Sequence, residues 1–174
     1  MAEVGLIFVA SVPSFDKGTP SVIHVLDAGN LRPIRQIQLP RRAFALALDR
    51  STGRLYAGNT MDGSLTVIDA KGGQILDTIQ LGLKDEEGGF EHIRMIALDE
   101  DKGLAFVRSA QKDHDVKERM SLPAHPNSLE VSENGQTLFL TVKAPLDKAH
   151  PDYREGRLDS LLRIDLERLG KGDK

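Results

Sequence analysis

An all-β fold of repeated four-stranded antiparallel modules is predicted for this 174-residue chain. Three observations predict it: short apolar runs with period-two spacing, Asp-Gly and Gly-Gly pairs between those runs, and recurrence of the whole pattern along the chain. The stretch GRLYAGNTMDGSLTVIDAKGGQILDTIQLG, Gly53 to Gly82, holds the first two. In SLTVIDA, Leu65, Val67 and Asp69 face one way while Thr66 and Ile68 face the other. Asp62-Gly63 and Gly72-Gly73 supply the positive φ that tight turns need, so the stretch reads as three antiparallel strands.

Three units recur. IRQIQLP (Ile34 to Pro40), ILDTIQLG (Ile75 to Gly82) and VKERMSLP (Val116 to Pro123) close on Leu39, Leu81 and Leu122, spaced by 42 and 41 residues. LALDRSTGRLYAG (46–58) is matched by IALDEDKGLAFV (96–107) and LEVSENGQTLFLT (129–141), each a strand, a polar turn and a second strand. VIHVLDAGN (22–30) recurs as LTVIDAKGG (65–73) and more loosely as LLRIDLERL (161–169). Ordered along the chain, these units build an inner, a second, a third and an outer strand. Four short strands at that period are the pattern of a β-propeller blade, whose faces must be covered by neighbouring blades.

Taken in order, the first blade (about 6–40) lacks an inner strand, and its apolar run VGLIFVASV (Val4 to Val12) is its first strand. The second (43–82) is complete. The third (93–123) has its inner and second strands, after which RSAQKDHD leads straight to an outer strand at Val116 to Pro123. The fourth (127–169) has three strands and is followed by a tail, 170–174, expected to be disordered. About thirteen strands result, short of the four to eight blades of a closed propeller. The expectation is therefore three to four blades and an incomplete ring per chain.

Composition narrows the function classes. A net charge of -3 announces no polyanionic partner, and the absence of cysteine excludes disulfides and thiolate metal sites. Val4 to Val12 is too short to span a bilayer and no basic residue precedes it, so neither membrane insertion nor a signal peptide within the chain is expected.

LYAGNTMDGSLTVIDAKGGQILDTIQLG resembles the YVTN-type propeller repeat, and FVASVPSFDKG (Phe8 to Gly18) and LPAHPNSLEVSENGQTLFLTVK (Leu122 to Lys143) are similar to the first and last blades of the YncE-like family of bacterial proteins. That resemblance covers Leu6 to Leu169. It implies a seven-bladed relative about twice as long, export to the periplasm (the cytoplasm being the default otherwise), and a tendency to bind single-stranded DNA. Set against it, the middle of the propeller is missing here, with a junction near Ser109 to Val116. Either two chains associate head to tail as a homodimer that completes the ring, or the chain is a shortened product with open sheet edges.

No nucleophile elbow, P-loop or dinucleotide fingerprint occurs, and His24, His92, His114, His125 and His150 show no metal-ligand spacing. No enzyme, cofactor or metal is therefore expected. Asp27, Asp49, Asp69, Asp99 and Asp165 recur at strand ends, which reads as turn capping, since a catalytic acid is usually singular. In a propeller, the loops joining second to third strands and outer to inner strands share one face. Here that face gathers Phe15, Lys17, Arg41, Arg42, Asn59, His92, His125, Asn127, Tyr153 and Arg154, the candidate ligand-binding residues. Aromatic and basic side chains together can stack on and neutralise single-stranded nucleic acid; solvated loops are the plainer reading. The charged loop Ala144 to Asp159 exceeds an ordinary hairpin and reads as a functional or flexible excursion. Read together, these features point to a non-enzymatic binding or scaffold protein with a protein, single-stranded DNA or other extended ligand. The alternatives are a metal-binding protein or enzyme using His92, His125 and loop carboxylates, and a functionless remnant of a longer gene.

Overall fold

The computed structural model describes residues 5–14, 19–60, 63–81, 93, 95–107 and 126–168. Among them are twelve strands and no helix. β1 (Leu6–Ser11), β2 (Val22–Asp27) and β3 (Pro33–Gln38) form one sheet in chain order. β4 (Ala43–Asp49), β5 (Arg54–Asn59), β6 (Ser64–Asp69) and β7 (Ile75–Gln80) form a four-stranded sheet. β8 (Ile96–Asp99) pairs with β9 (Leu104–Val107), and β10 (Pro126–Val131), β11 (Thr137–Val142) and β12 (Ser160–Asp165) complete the set. Pairing is antiparallel throughout the three larger sheets. The all-β, blade-like architecture matches the sequence expectation, while the outer strand expected at 116–123 and the tail at 170–174 lie outside the described residues.

The chain divides into two compact units, residues 1–96 with 106–114 and residues 97–105 with 115–174. In the first, Ile23 and Val25 of β2, Ile37 of β3, Leu39, Leu55 and Ala57 of β5, and Ile68 of β6 form one buried cluster. Leu6, Phe8, Leu46 and Leu48 pack against it. Burying these side chains is the main driving force holding the two sheets together, at about 25 cal/mol per Å² of apolar surface. Polar contacts fix the join. Ser21 Oγ accepts from Ala43 N–H at 3.0 Å and donates to Ala43 O at 3.1 Å, and Arg35 Nη2 donates to Ala70 O at 2.8 Å.

β6 departs from the simple in-and-out pattern. Ser64 to Ile68 are all buried, so both faces of β6 are covered. Gly58 of β5 answers a different demand: a Cβ there would stand 2.6 Å from Ile93 Cγ2 and 2.8 Å from Ile93 O. Only glycine lets Ile93, itself fully buried, approach that closely.

In the second unit, Leu138, Leu140 and Val142 supply the buried face of β11. Lys102 ties two turns together, forming an ion pair with Asp99 Oδ2 at 3.2 Å and donating from Nζ to Gly135 O.

Candidate functional site

The recurring aspartates are the carboxylates that every blade repeats at its turns. Asp27 Oδ1 accepts from Gly29 N–H at 2.8 Å and Asn30 N–H at 3.1 Å. Asp69 accepts from Gly72 N–H at 2.6 Å, Asp99 from Lys102 N–H at 3.1 Å, and Asp165 from Glu167 N–H at 3.0 Å. Asp49 accepts from Thr52 N–H at 3.1 Å and from the hydroxyls of Ser51 and Thr52, both at 2.6 Å. All five satisfy turn donors, as the recurrence in the sequence predicted. Burial works to raise the Asp49 carboxyl, but the four hydrogen bonds from Ser51 and Thr52 outweigh it and hold its pKa below the ordinary carboxylate value. Such a group is ionised at neutral pH and already committed to its turn.

The candidate ligand-binding residues separate into three sets. Phe15, Lys17, His92 and His125 lie outside the described residues. In the first unit, Arg41 and Arg42 follow β3. Arg41 is exposed, with Nη1 3.5 Å from Ser64 Oγ, whereas Arg42 is buried, and its carbonyl accepts from Thr60 N–H at 2.9 Å. Asn59 corrects the expectation of a loop contact. It is 0% exposed at the end of β5, and its amide donates to Ser64 Oγ at 2.8 Å and Thr66 Oγ1 at 3.0 Å. A buried amide must spend its hydrogen bonds internally, and this one does.

In the second unit, Asn127 stands exposed on β10, and Tyr153 and Arg154 sit in the β11–β12 loop. That loop is a chain of short turns. Ala144 N–H donates to Asp159 Oδ1 at 2.9 Å and closes its base. Within it, His150 N–H donates to Asp147 O at 3.0 Å, Tyr153 N–H to His150 O at 2.9 Å, and Arg157 N–H to Arg154 O at 3.1 Å. His150 Nδ1 accepts from Asp152 N–H at 3.1 Å, which gives that ring a backbone role. Arg154 Nη1 reaches Pro151 O at 3.0 Å and Tyr153 O at 2.6 Å, so part of the guanidinium braces its own loop. At the loop's base a shallow depression is lined by Lys143, Pro145, Asp152, Arg157 and Ser160. No motif marks those residues, because only the folded turns bring Asp152 and Arg157 back beside Lys143. Among the described residues no group of three or more His, Asp or Glu is placed to hold a metal ion.

No protein-family model matches the chain. It is 27% identical to the uncharacterized protein YncE of Escherichia coli (strain K12) over 201 residues, covering 86% of this chain and 55% of that protein. The chain thus spans about half the length of that relative, and the aligned stretch is longer than the chain itself, so YncE carries residues within it that have no counterpart here. Among solved structures, hydrazine synthase of Kuenenia stuttgartiensis matches with a TM-score of 0.57 and 17% identity, over 84% of this chain and 40% of the other. The Dos1 propeller matches with a TM-score of 0.52 and 11% identity, over 70% and 33%. At such identities the structural matches speak to the fold alone. The repeated antiparallel sheets and these neighbours show a β-propeller-type fold, and the shared sequence supports kinship with the YncE-like β-propeller proteins.

Proposed function

We propose that this chain is a non-enzymatic β-propeller-type binding or scaffold module that presents loops to an extended macromolecular ligand, with single-stranded DNA the ligand to test first. The observation that carries the reading is the commitment of the five recurring aspartates to turn donors. Of the candidate ligand-binding side chains, those near the surface are cationic, aromatic or amide: Arg41 in the first unit and Asn127, Tyr153 and Arg154 in the second. Such side chains favour stacking and charge neutralisation over proton transfer. Periplasmic residence belongs to the same proposal and rests on likeness to YncE-like proteins; fractionating cells that express the complete gene tests it. So does assembly with a second copy that supplies further blades.

The deciding experiment is fluorescence anisotropy of a labelled single-stranded oligonucleotide titrated with the protein at low and moderate salt. Binding that weakens as salt rises, exceeds binding to the duplex, and falls in the Tyr153→Ala and Arg41→Ala variants supports the reading. Equal binding to single strand and duplex, or none at low salt, removes DNA as the ligand.

A further inference from the structure

We propose that the open edge of β7 is a self-association surface, gated by Asp77, on which a second copy of this chain adds its own β7 in antiparallel register about Thr78. Among the described strands, β7 alone is exposed at every residue. Ile75, Leu76 and Ile79 are 42%, 54% and 40% exposed, an apolar content that an outer strand ordinarily keeps low. The other outer strand of this unit is better guarded: β3 opens on Pro33, buries Ile37, and its Arg35 is bonded to Ala70.

The β6–β7 ladder tells which groups face the open edge. Leu81 N–H donates to Gly63 O at 3.0 Å, continuing a register in which Leu65 opposes Ile79 and Val67 opposes Asp77. Antiparallel bonding alternates along a strand, so Asp77 and Ile79 turn their peptide groups toward β6 while Thr78 turns its N–H and C=O outward. That outward N–H does not stand open. Asp77 Oδ1 accepts it at 2.7 Å, a side chain occupying the donor that an incoming strand needs. A bulge where the register shifts between Val67 and Ile68 shortens the pairable edge further.

What the edge fits is set by the same residues. Two-fold addition in one sheet keeps faces matched, so the pair centres on a single residue. Centred on Asp77, the register brings two carboxylates directly opposite each other, which is unfavourable. Centred on Thr78, it pairs two outward-facing threonines through two backbone hydrogen bonds and sets Ile79 of each copy beside Asp77 of the other. Self-pairing about Thr78 avoids that repulsion, and Asp77 must swing off Thr78 N–H to allow it.

Sedimentation of the full chain over a range of concentrations tests this, with Asp77→Ala removing the acceptor and Asp77→Asn keeping one. Asp77→Ala is expected to tighten self-association roughly tenfold, since one cap is released on each copy at about a hydrogen bond apiece; Asp77→Asn should track the wild type. Adding Thr78→Pro, which deletes a donor the β6 ladder does not use, or Thr78→Lys, which sets two like charges face to face, should return the Asp77→Ala chain to monomer. An Asp77→Ala chain no more associated than wild type, or one whose association survives both Thr78 changes, overturns the proposal.

Discussion

The β2–β3 and β6–β7 turns lie 42 residues apart and are built on one hydrogen-bond plan. Asp27 N–H donates to Arg32 O at 2.9 Å and Leu31 N–H to Asp27 O at 2.8 Å; in the second copy Asp69 N–H donates to Gln74 O at 2.8 Å and Gly73 N–H to Asp69 O at 2.7 Å. Even the outside contact repeats, Ala28 N–H to Gly5 O and Ala70 N–H to Gly53 O, both at 2.9 Å. Yet the left-handed position is Leu31 (φ 60°) in one and Gly73 (φ 82°) in the other. The plan therefore dictates the backbone, and what decides the residue is the neighbour. A Cβ on Gly73 would lie 3.2 Å from both Arg35 Nε and Ile37 Cγ1, whereas Leu31 is 63% exposed. Leucine is strained in either turn, but only in the second would it also collide.

Exchanging the two left-handed residues tests this most severely. Gly73→Leu should cost about 3 kcal/mol, combining roughly 1 kcal/mol for a left-handed residue with a Cβ and about 2 kcal/mol for crowding β3. Urea unfolding would read it as a lower midpoint at unchanged slope. A loss no larger than 1 kcal/mol would mean that Arg35 and Ile37 give way, and that the neighbour does not decide.

Removing the shared cap tests the plan itself. Asp27→Ala and Asp69→Ala should each cost about 1 kcal/mol, and by similar amounts, because each leaves turn N–H groups to water in an exposed turn. Very unequal losses would show that the two turns share geometry without sharing energetics. The β4–β5 turn extends the test to pH. Since the folded pKa of Asp49 is held down, its contribution is present above the unfolded carboxylate value of about 3.9 and disappears as pH falls through the lower folded value. Asp49→Asn should therefore flatten the loss of stability as pH falls below the ordinary carboxylate value of about 3.9, read from thermal midpoints at each pH. An acid limb as steep as that of the wild type would assign the proton uptake to other carboxylates.

These turns were legible in the sequence because LDAGN and IDAKGG carry their own physics: an Asp that accepts from N–H groups two and three residues ahead of it needs nothing from elsewhere in the chain. Burial was not legible in the same way. SLTVID and ILDTIQ look alike as alternating strands, yet the first is buried on both faces and the second is exposed throughout, because position within the sheet, not composition, sets it. Asn59 failed for a related reason. GNTMDG reads as a polar loop, but its asparagine ends β5 and pairs with Ser64 and Thr66, which the period-two pattern carries as ordinary strand residues. The β11–β12 loop was visible by length alone, and its run of turns rests on backbone carbonyls that no motif records.

The smallest expected effect is the sharpest test of the exposed copy. Replacing Leu31 with glycine relieves a left-handed side chain at roughly 1 kcal/mol but widens the unfolded ensemble, which takes back about half of that. The net expectation is a gain of about 0.5 kcal/mol, a rise of a few degrees at most in the thermal midpoint. Leu31→Asn should fall between, since asparagine tolerates this region better than leucine without glycine's entropy. If glycine instead destabilises, the exposed leucine makes a contact worth more than the strain it bears. The two turns would then differ because each residue is favoured in its own place, and not because one site merely tolerates what the other refuses.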